Sequence, residues 1–138
     1  MMKFSIVKPE GVVYEDEIEK VTIPTESGEI TVLPEHEPMV SVLKPGIMTV
    51  YKNGNIIELA TAGGVLEIRP SNELYIIADS AEKAEEIDIE RAEKAKKRAE
   101  ELLKQEQNLS DVDFARIQVM IEKEVARISL GKKYRKLR

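Results

Sequence analysis

His36 is the only histidine in the chain, and there is no cysteine. A Ser-His-Asp triad or a multi-histidine metal site therefore has no support, and thiolate nucleophiles, disulfides and zinc–thiolate centres are excluded. The 26 acidic residues supply many carboxylate pairs for acid–base chemistry, but so many acids make no single pair specific. Aromatic residues, which commonly wall a catalytic cleft, are only 4% of the chain. No GxGxxG or GxxxxGK[ST] loop is present, and Gly63-Gly64 is an isolated pair in a strand-like region. These residues do not assemble a catalytic centre. What chemistry there is concentrates as charge. The stretch from Gly131 to Arg138 holds five bases, Lys132, Lys133, Arg135, Lys136 and Arg138, and no acid. Residues 1–80 carry 6 Lys+Arg against 13 Asp+Glu, a net −7; residues 81–138 carry 15 against 13, a net +2. An acidic body with a basic end suits an acidic partner surface, with solubility as the plain alternative. The overall charge of −5 disfavours nucleic acid.

The elements that must carry these groups fall into two kinds. The 138 residues suffice for one compact domain, or a small one with an appendage. All six prolines and six of the seven glycines precede residue 71, and Ser71 to Leu130 contains neither. The first part is punctuated by turns, whereas the second can run as helix. Phe4 to Val7, Ile18 to Ile23, Glu29 to Leu33 and Ile47 to Tyr51 alternate with period two, as half-buried strands do. Asn53-Gly54 between two such runs predicts a type I′ hairpin. With Val65 to Ile68 and Leu74 to Ile77, these segments predict eight to ten short strands closing into a sandwich or flattened barrel. No apolar run approaches the roughly 20 residues of a membrane span. The N-terminus enters the strand pattern directly, so no leader is expected and the location reads as cytoplasmic.

From Asp79 the period becomes 3.6. Asp79 or Ser80 is the expected cap of a first helix, with Glu82, Glu85 and Glu86 in its opening turns. Ala81, Ala84, Ile87, Ala92, Ala95, Ala99 and Leu102 form its apolar stripe, and Glu90–Lys94, Glu93–Lys97 and Glu100–Lys104 are i,i+4 pairs. A break is expected at Gln107-Asn108-Leu109, followed by a capping box from Ser110 to Asp113. The second helix carries Phe114, Ile117, Ile121, Val125 and Ile128 on one face and is expected to stop near Gly131. The domains are thus expected at 1–80 and 81–138. A methyl-lined stripe gains only about 0.8 kcal/mol per buried methyl. The hairpin is expected to move, with permanent packing on the sheet as the alternative.

Gly28-Glu29-Ile30-Thr31-Val32-Leu33-Pro34-Glu35-His36-Glu37-Pro38, Leu43-Lys44-Pro45-Gly46 and Gly63-Gly64-Val65-Leu66-Glu67 strongly resemble the β-domain of the epsilon subunit of F-type ATP synthase. Ser80-Ala81-Glu82 and Ile87-Asp88-Ile89-Glu90-Arg91-Ala92 are similar to the opening of that family's helical part. The resemblance is collinear over about residues 3–130. Thr31, Glu35 and Glu37 depart from it, standing where small residues are usual and adding two charges to the loop.

The resemblance implies an α+β chain: a ten-stranded β-sandwich followed by an antiparallel two-helix hairpin. It implies a non-catalytic rotor subunit, peripheral at the cytoplasmic face of a bacterial membrane. The sandwich would bind the gamma subunit and the c ring, with Glu29 toward the ring and His36 toward gamma. For His36 the alternative is a residue that merely closes a proline-bracketed turn. The hairpin would lie folded on the sandwich or extend along gamma to inhibit ATP hydrolysis. Its basic end, Lys132, Lys133, Arg135, Lys136 and Arg138, would then meet the alpha and beta catalytic subunits. No cofactor is required, but ATP is implied as a regulatory ligand at Glu82, Asp88, Arg91, Ala92, Arg98, Lys123 and Arg127. Asp88, Arg91 and Arg98 are offset by 3 and 10 residues and share a helix face; Lys123 and Arg127 are i,i+4. Guanidinium groups suit phosphates, and Lys123 stands where an arginine is expected. Surface ion pairing is the plain reading of the same residues. A free-standing ATP-sensing adaptor is the functional alternative to a motor subunit.

Overall fold

A computed structural model describes residues 1–105 and 108–136. Among them, eight strands precede two helices: β1 (Met2–Lys8), β2 (Gly11–Ile18), β3 (Lys20–Thr25), β4 (Gly28–Val32), β5 (Met39–Leu43), β6 (Gly46–Lys52), β7 (Asn55–Arg69), β8 (Glu73–Lys83), α1 (Ile89–Gln105) and α2 (Asp111–Lys136). A short 3-10 turn, Ala84–Glu86, joins β8 to α1. The β6–β7 hairpin turns at Asn53 and Gly54 with φ of 49° and 78°, the left-handed values a type I′ turn requires.

The eight strands do the work of the expected ten because β7 and β8 each serve twice. β7 pairs with β6 through Asn55 to Thr61 and with β5 through Gly64 to Ile68. β8 follows its other edge from Leu59 to Arg69 and adds β1 in parallel at Glu73 to Ile77. The register shifts between Thr61 and Gly64, where Gly63 and Gly64 adopt φ of 134° and 138°. A Cβ on Gly64 would lie 2.1 Å from the Ile77 carbonyl oxygen, so only glycine permits this corner. The sheet thereby folds over one core. Phe4, Ile6, Ile23, Met48, Leu59, Leu66, Leu74 and Ile76 are all wholly buried in a single cluster. Each such side chain gains roughly 1.5–3 kcal/mol over an exposed one. Lys52 on β6 donates to both Asp16 oxygens on β2, at 2.7 and 2.6 Å, which ties the two layers at one side.

The helices form the expected hairpin with displaced ends. β8 stays in its ladder as far as Lys83, so neither Asp79 nor Ser80 caps a helix. The 3.6-like spacing of Ala81 and Ala84 arises because Ala81 closes the sandwich core and Ala84 sits in the 3-10 turn. Asp88 is the true cap: its Oδ1 accepts the Arg91 N–H at 3.1 Å, and its carbonyl accepts that of Ala92. At α2, Ser110 Oγ accepts the Asp113 N–H at 3.1 Å, while the Asp113 carboxylate turns to Arg116 at 3.8 Å. The expected break at Asn108 and Leu109 holds; Gln107 lies outside the described residues.

The helix also runs through Gly131 to Lys136. A Cβ on Gly131 would lie 2.7 Å from Ile89 Cγ1, so this glycine is a close-approach residue, not a stop. The expected α2 stripe is rotated. Ile117, Ala126 and Leu130 are buried while Phe114 and Val125 face outward, because α2 is flanked by α1 on one side and β7 on another. The three expected i,i+4 pairs on α1 are not closed; Glu93 instead meets Lys132 of α2 at 3.7 Å.

Candidate functional site

α2 docks on the sandwich through a small second cluster. Ala60, Ala84 and Leu130 are buried there, with Ile47, Ile87 and Tyr134 packed around them. Beside it lies the strongest electrostatic feature of the seam. Arg127 on α2 donates from Nε and Nη2 to the two Glu82 carboxylate oxygens on β8, at 3.1 and 3.3 Å. Its Nη1 donates to Glu124 Oε1 one turn back, at 2.6 Å. The Arg127 and Glu124 side chains are only 14% and 7% exposed. Burial works against the guanidinium charge, but the hydrogen bonds to Glu124 and Glu82 outweigh it and hold Arg127 above the ordinary arginine value.

Glu82 and Arg127 line a groove of about 390 Å³ between β1, β8, α1 and α2. Lys8, Glu86, Arg91 and Lys123 line it along with Glu82 and Arg127. Among the described residues, the side chains of Lys8, Arg91 and Lys123 make no ion pair or hydrogen bond. The groove thus offers three uncommitted cations and one committed to carboxylates. That arrangement can hold a polyanion.

Of the seven residues the resemblance points to, Glu82, Arg91, Lys123 and Arg127 come together here. Asp88 is exposed and engaged as the α1 cap, Ala92 is fully buried, and Arg98 is exposed without lining the groove. Glu29 lies near the start of β4 and His36 in the loop beyond its far end, and both are exposed. Glu29 borders a hollow of about 640 Å³ between Pro24, Pro45 and Val125. In the 33–38 loop, His36 Nδ1 donates to the Glu37 carbonyl at 2.8 Å, and Glu35 N–H donates to Asn72 Oδ1 at 2.7 Å. In the basic end, Lys132 meets Glu93 and Lys133 meets Glu58 of β7 at 2.8 Å, while Arg135 and Lys136 are exposed. Arg138 lies outside the described residues.

One feature escaped the sequence reading. Val42 pairs with Val65, Val65 with Ile77, Ile77 with Val7, and Val7 with Val12, across five strands. This outward row is apolar, and Val42, Val65, Ile77 and Val12 are 46, 42, 53 and 62% exposed. Its signal was available as apolar doublets, Val42-Leu43, Val65-Leu66, Ile76-Ile77 and Ile6-Val7. Strict alternation accounts for one member of each and leaves the other outside.

Two family models cover most of the chain: the beta-sandwich domain of the ATP synthase delta/epsilon chain at residues 1–84, and its long alpha-helix domain at residues 85–131. The ATP synthase epsilon chain of Desulforamulus reducens is 40% identical over 126 residues, 91% of this chain and 93% of that one. The epsilon chain of Bacillus licheniformis is 39% identical over 131 residues, 95% and 98% of the two. Among solved structures, a chain of the Euglena gracilis mitochondrial ATP synthase superposes with a TM-score of 0.74 at 24% identity, over 91% of this chain and 78% of that one. A chain from the central stalk and c-ring of the Tetrahymena thermophila enzyme gives 0.61 at 14%, over 96% and 95%. Both structural likenesses speak to the fold.

Proposed function

The chain belongs to the ATP synthase delta/epsilon chain family, and from that premise we propose that it is a central-stalk rotor chain carrying a movable brake. As a member it is a non-catalytic chain of the synthase. The sandwich attaches to the gamma subunit, and the Glu29 end faces the c ring at the cytoplasmic side of the membrane. Among the described residues, no helix is long and apolar enough to cross a membrane itself.

The observation that carries this reading is the outward row from Val42 to Val12, in which Val42, Val65, Ile77 and Val12 stay 42–62% exposed among the described residues. An apolar row across five paired strands suits a rigid shaft, and the separation of Glu29 from His36 by the length of β4 and the loop after it suits two partners. The test replaces Val65 and Ile77 together by aspartate. Both are surface positions, so the melting temperature should hold, while gamma should bind about a hundredfold more weakly when the chain is used to capture it. Undiminished capture of gamma would remove the reading.

The hairpin is the regulatory part. It lies docked, held by a small apolar cluster and the Glu82–Arg127–Glu124 triad. Extended along gamma, it would bring Lys132, Lys133, Arg135 and Lys136 to acidic surfaces of the catalytic subunits and block ATP hydrolysis. ATP in the groove would favour docking by about 2.7 kcal/mol at a hundredfold excess over its Kd. High cellular ATP then keeps the brake off.

A further inference from the structure

We propose that Lys8, on the sandwich, is a phosphate contact of this groove, so that a bound nucleoside triphosphate is gripped by the sandwich and the hairpin at once. The inference rests on the nucleotide reading of the groove and adds to it a residue and a geometry. Arg127 is the most tempting phosphate ligand by type, yet two carboxylates already share its donors. One guanidinium shared by two carboxylates has no positive charge to spare for a ligand. A triphosphate placed beside it would meet Glu82, which lines the groove. The phosphates therefore fall to the cations without partners, Lys8, Arg91 and Lys123.

These three come from three elements. Arg91 lies in the first turn of α1 and Lys123 one turn before Arg127 on α2. Lys8 ends β1, paired with Gly11 across the turn into β2 and followed by Pro9. It is half-buried and lines the groove, and a lysine so placed can lay its stem along the sandwich and extend its ammonium to a ligand. An ammonium is a compact charge with three donors, suited to a phosphate chain without a fixed fork geometry. Lys8 belongs to the module that stays put when the hairpin swings. A phosphate chain spanning Lys8 to Arg91 and Lys123 is therefore a strap across the seam, and a ligand with fewer phosphates spans it less well.

Calorimetry on the full chain tests this with ATP and AMP against wild type, Lys8→Gln, Lys8→Arg and Arg91→Ala. Lys8→Gln should weaken ATP about tenfold, leave AMP within about twofold of wild type, and be largely rescued in Lys8→Arg. Equal losses for ATP and AMP would overturn the proposal, since a structural role would not count phosphates. Unchanged ATP affinity in Lys8→Gln with a large loss in Arg91→Ala would overturn it while sparing the groove. No binding of ATP by wild type at millimolar concentration would overturn both.

Discussion

Glu124 is the residue whose role is least expected from its type. A glutamate in the middle of a charged helix is ordinarily solvated, but here its side chain is 7% exposed and its charge is answered by Arg127 alone on its own helix. Breaking a buried pair from one side costs more than the pair contributes, because the remaining charge is stranded. Arg127→Met should therefore weaken the docked hairpin by about 3–5 kcal/mol. Glu124→Ala should cost far less, since Glu82 retains the guanidinium. Hydrogen exchange of the α2 amides measures both. Equal protection in the two variants would show that the triad does not hold the seam. Side-chain partnerships of this kind were beyond the sequence. Glu82 and Arg127 stand 45 positions apart, and the docking of α2 on the sandwich, chiefly on β7, brings them together.

Elements were legible where one periodicity ruled and misplaced where two overlapped. The sandwich strands and the Asn53-Gly54 hairpin follow from alternation and turn chemistry. Residues 79–88 carry alanines and acids that fit a helix, but β7 offers a continuing ladder as far as Lys83, and tertiary pairing overrides the local preference. Gly131 misled for a related reason: a glycine near a helix end resembles a stop, whereas the close approach of Ile89 demands one within the helix. The two kinds of glycine constraint should respond differently. Gly64→Ala places a methyl against backbone at 2.1 Å and at a left-handed φ, so it should destabilise the sandwich by at least about 3 kcal/mol in urea unfolding. Gly131→Ala meets a side chain that can shift, and it gains about 1 kcal/mol of helix propensity, so the net loss should stay near 1 kcal/mol. Similar midpoints for the two variants would contradict this distinction.

At the scale of the whole molecule, a sheet with a large buried core carries a helix pair joined to it by a small one. On the proposed function, that imbalance is what would let the pair detach while the sandwich stays folded. The chain has no cysteine, so paired cysteines can be introduced without background. Glu58 on β7 and Lys133 on α2 meet across the seam and serve as the positions. The decisive measurement is ATP hydrolysis by the assembled synthase containing Glu58→Cys with Lys133→Cys, before and after bridging with a short bismaleimide. A brake that must swing out predicts inhibition by the unbridged double variant, weakened only by the loss of Lys133 from the basic end, and hydrolysis at the rate of a truncated, hairpin-less chain after bridging. Inhibition that survives bridging unchanged would contradict it.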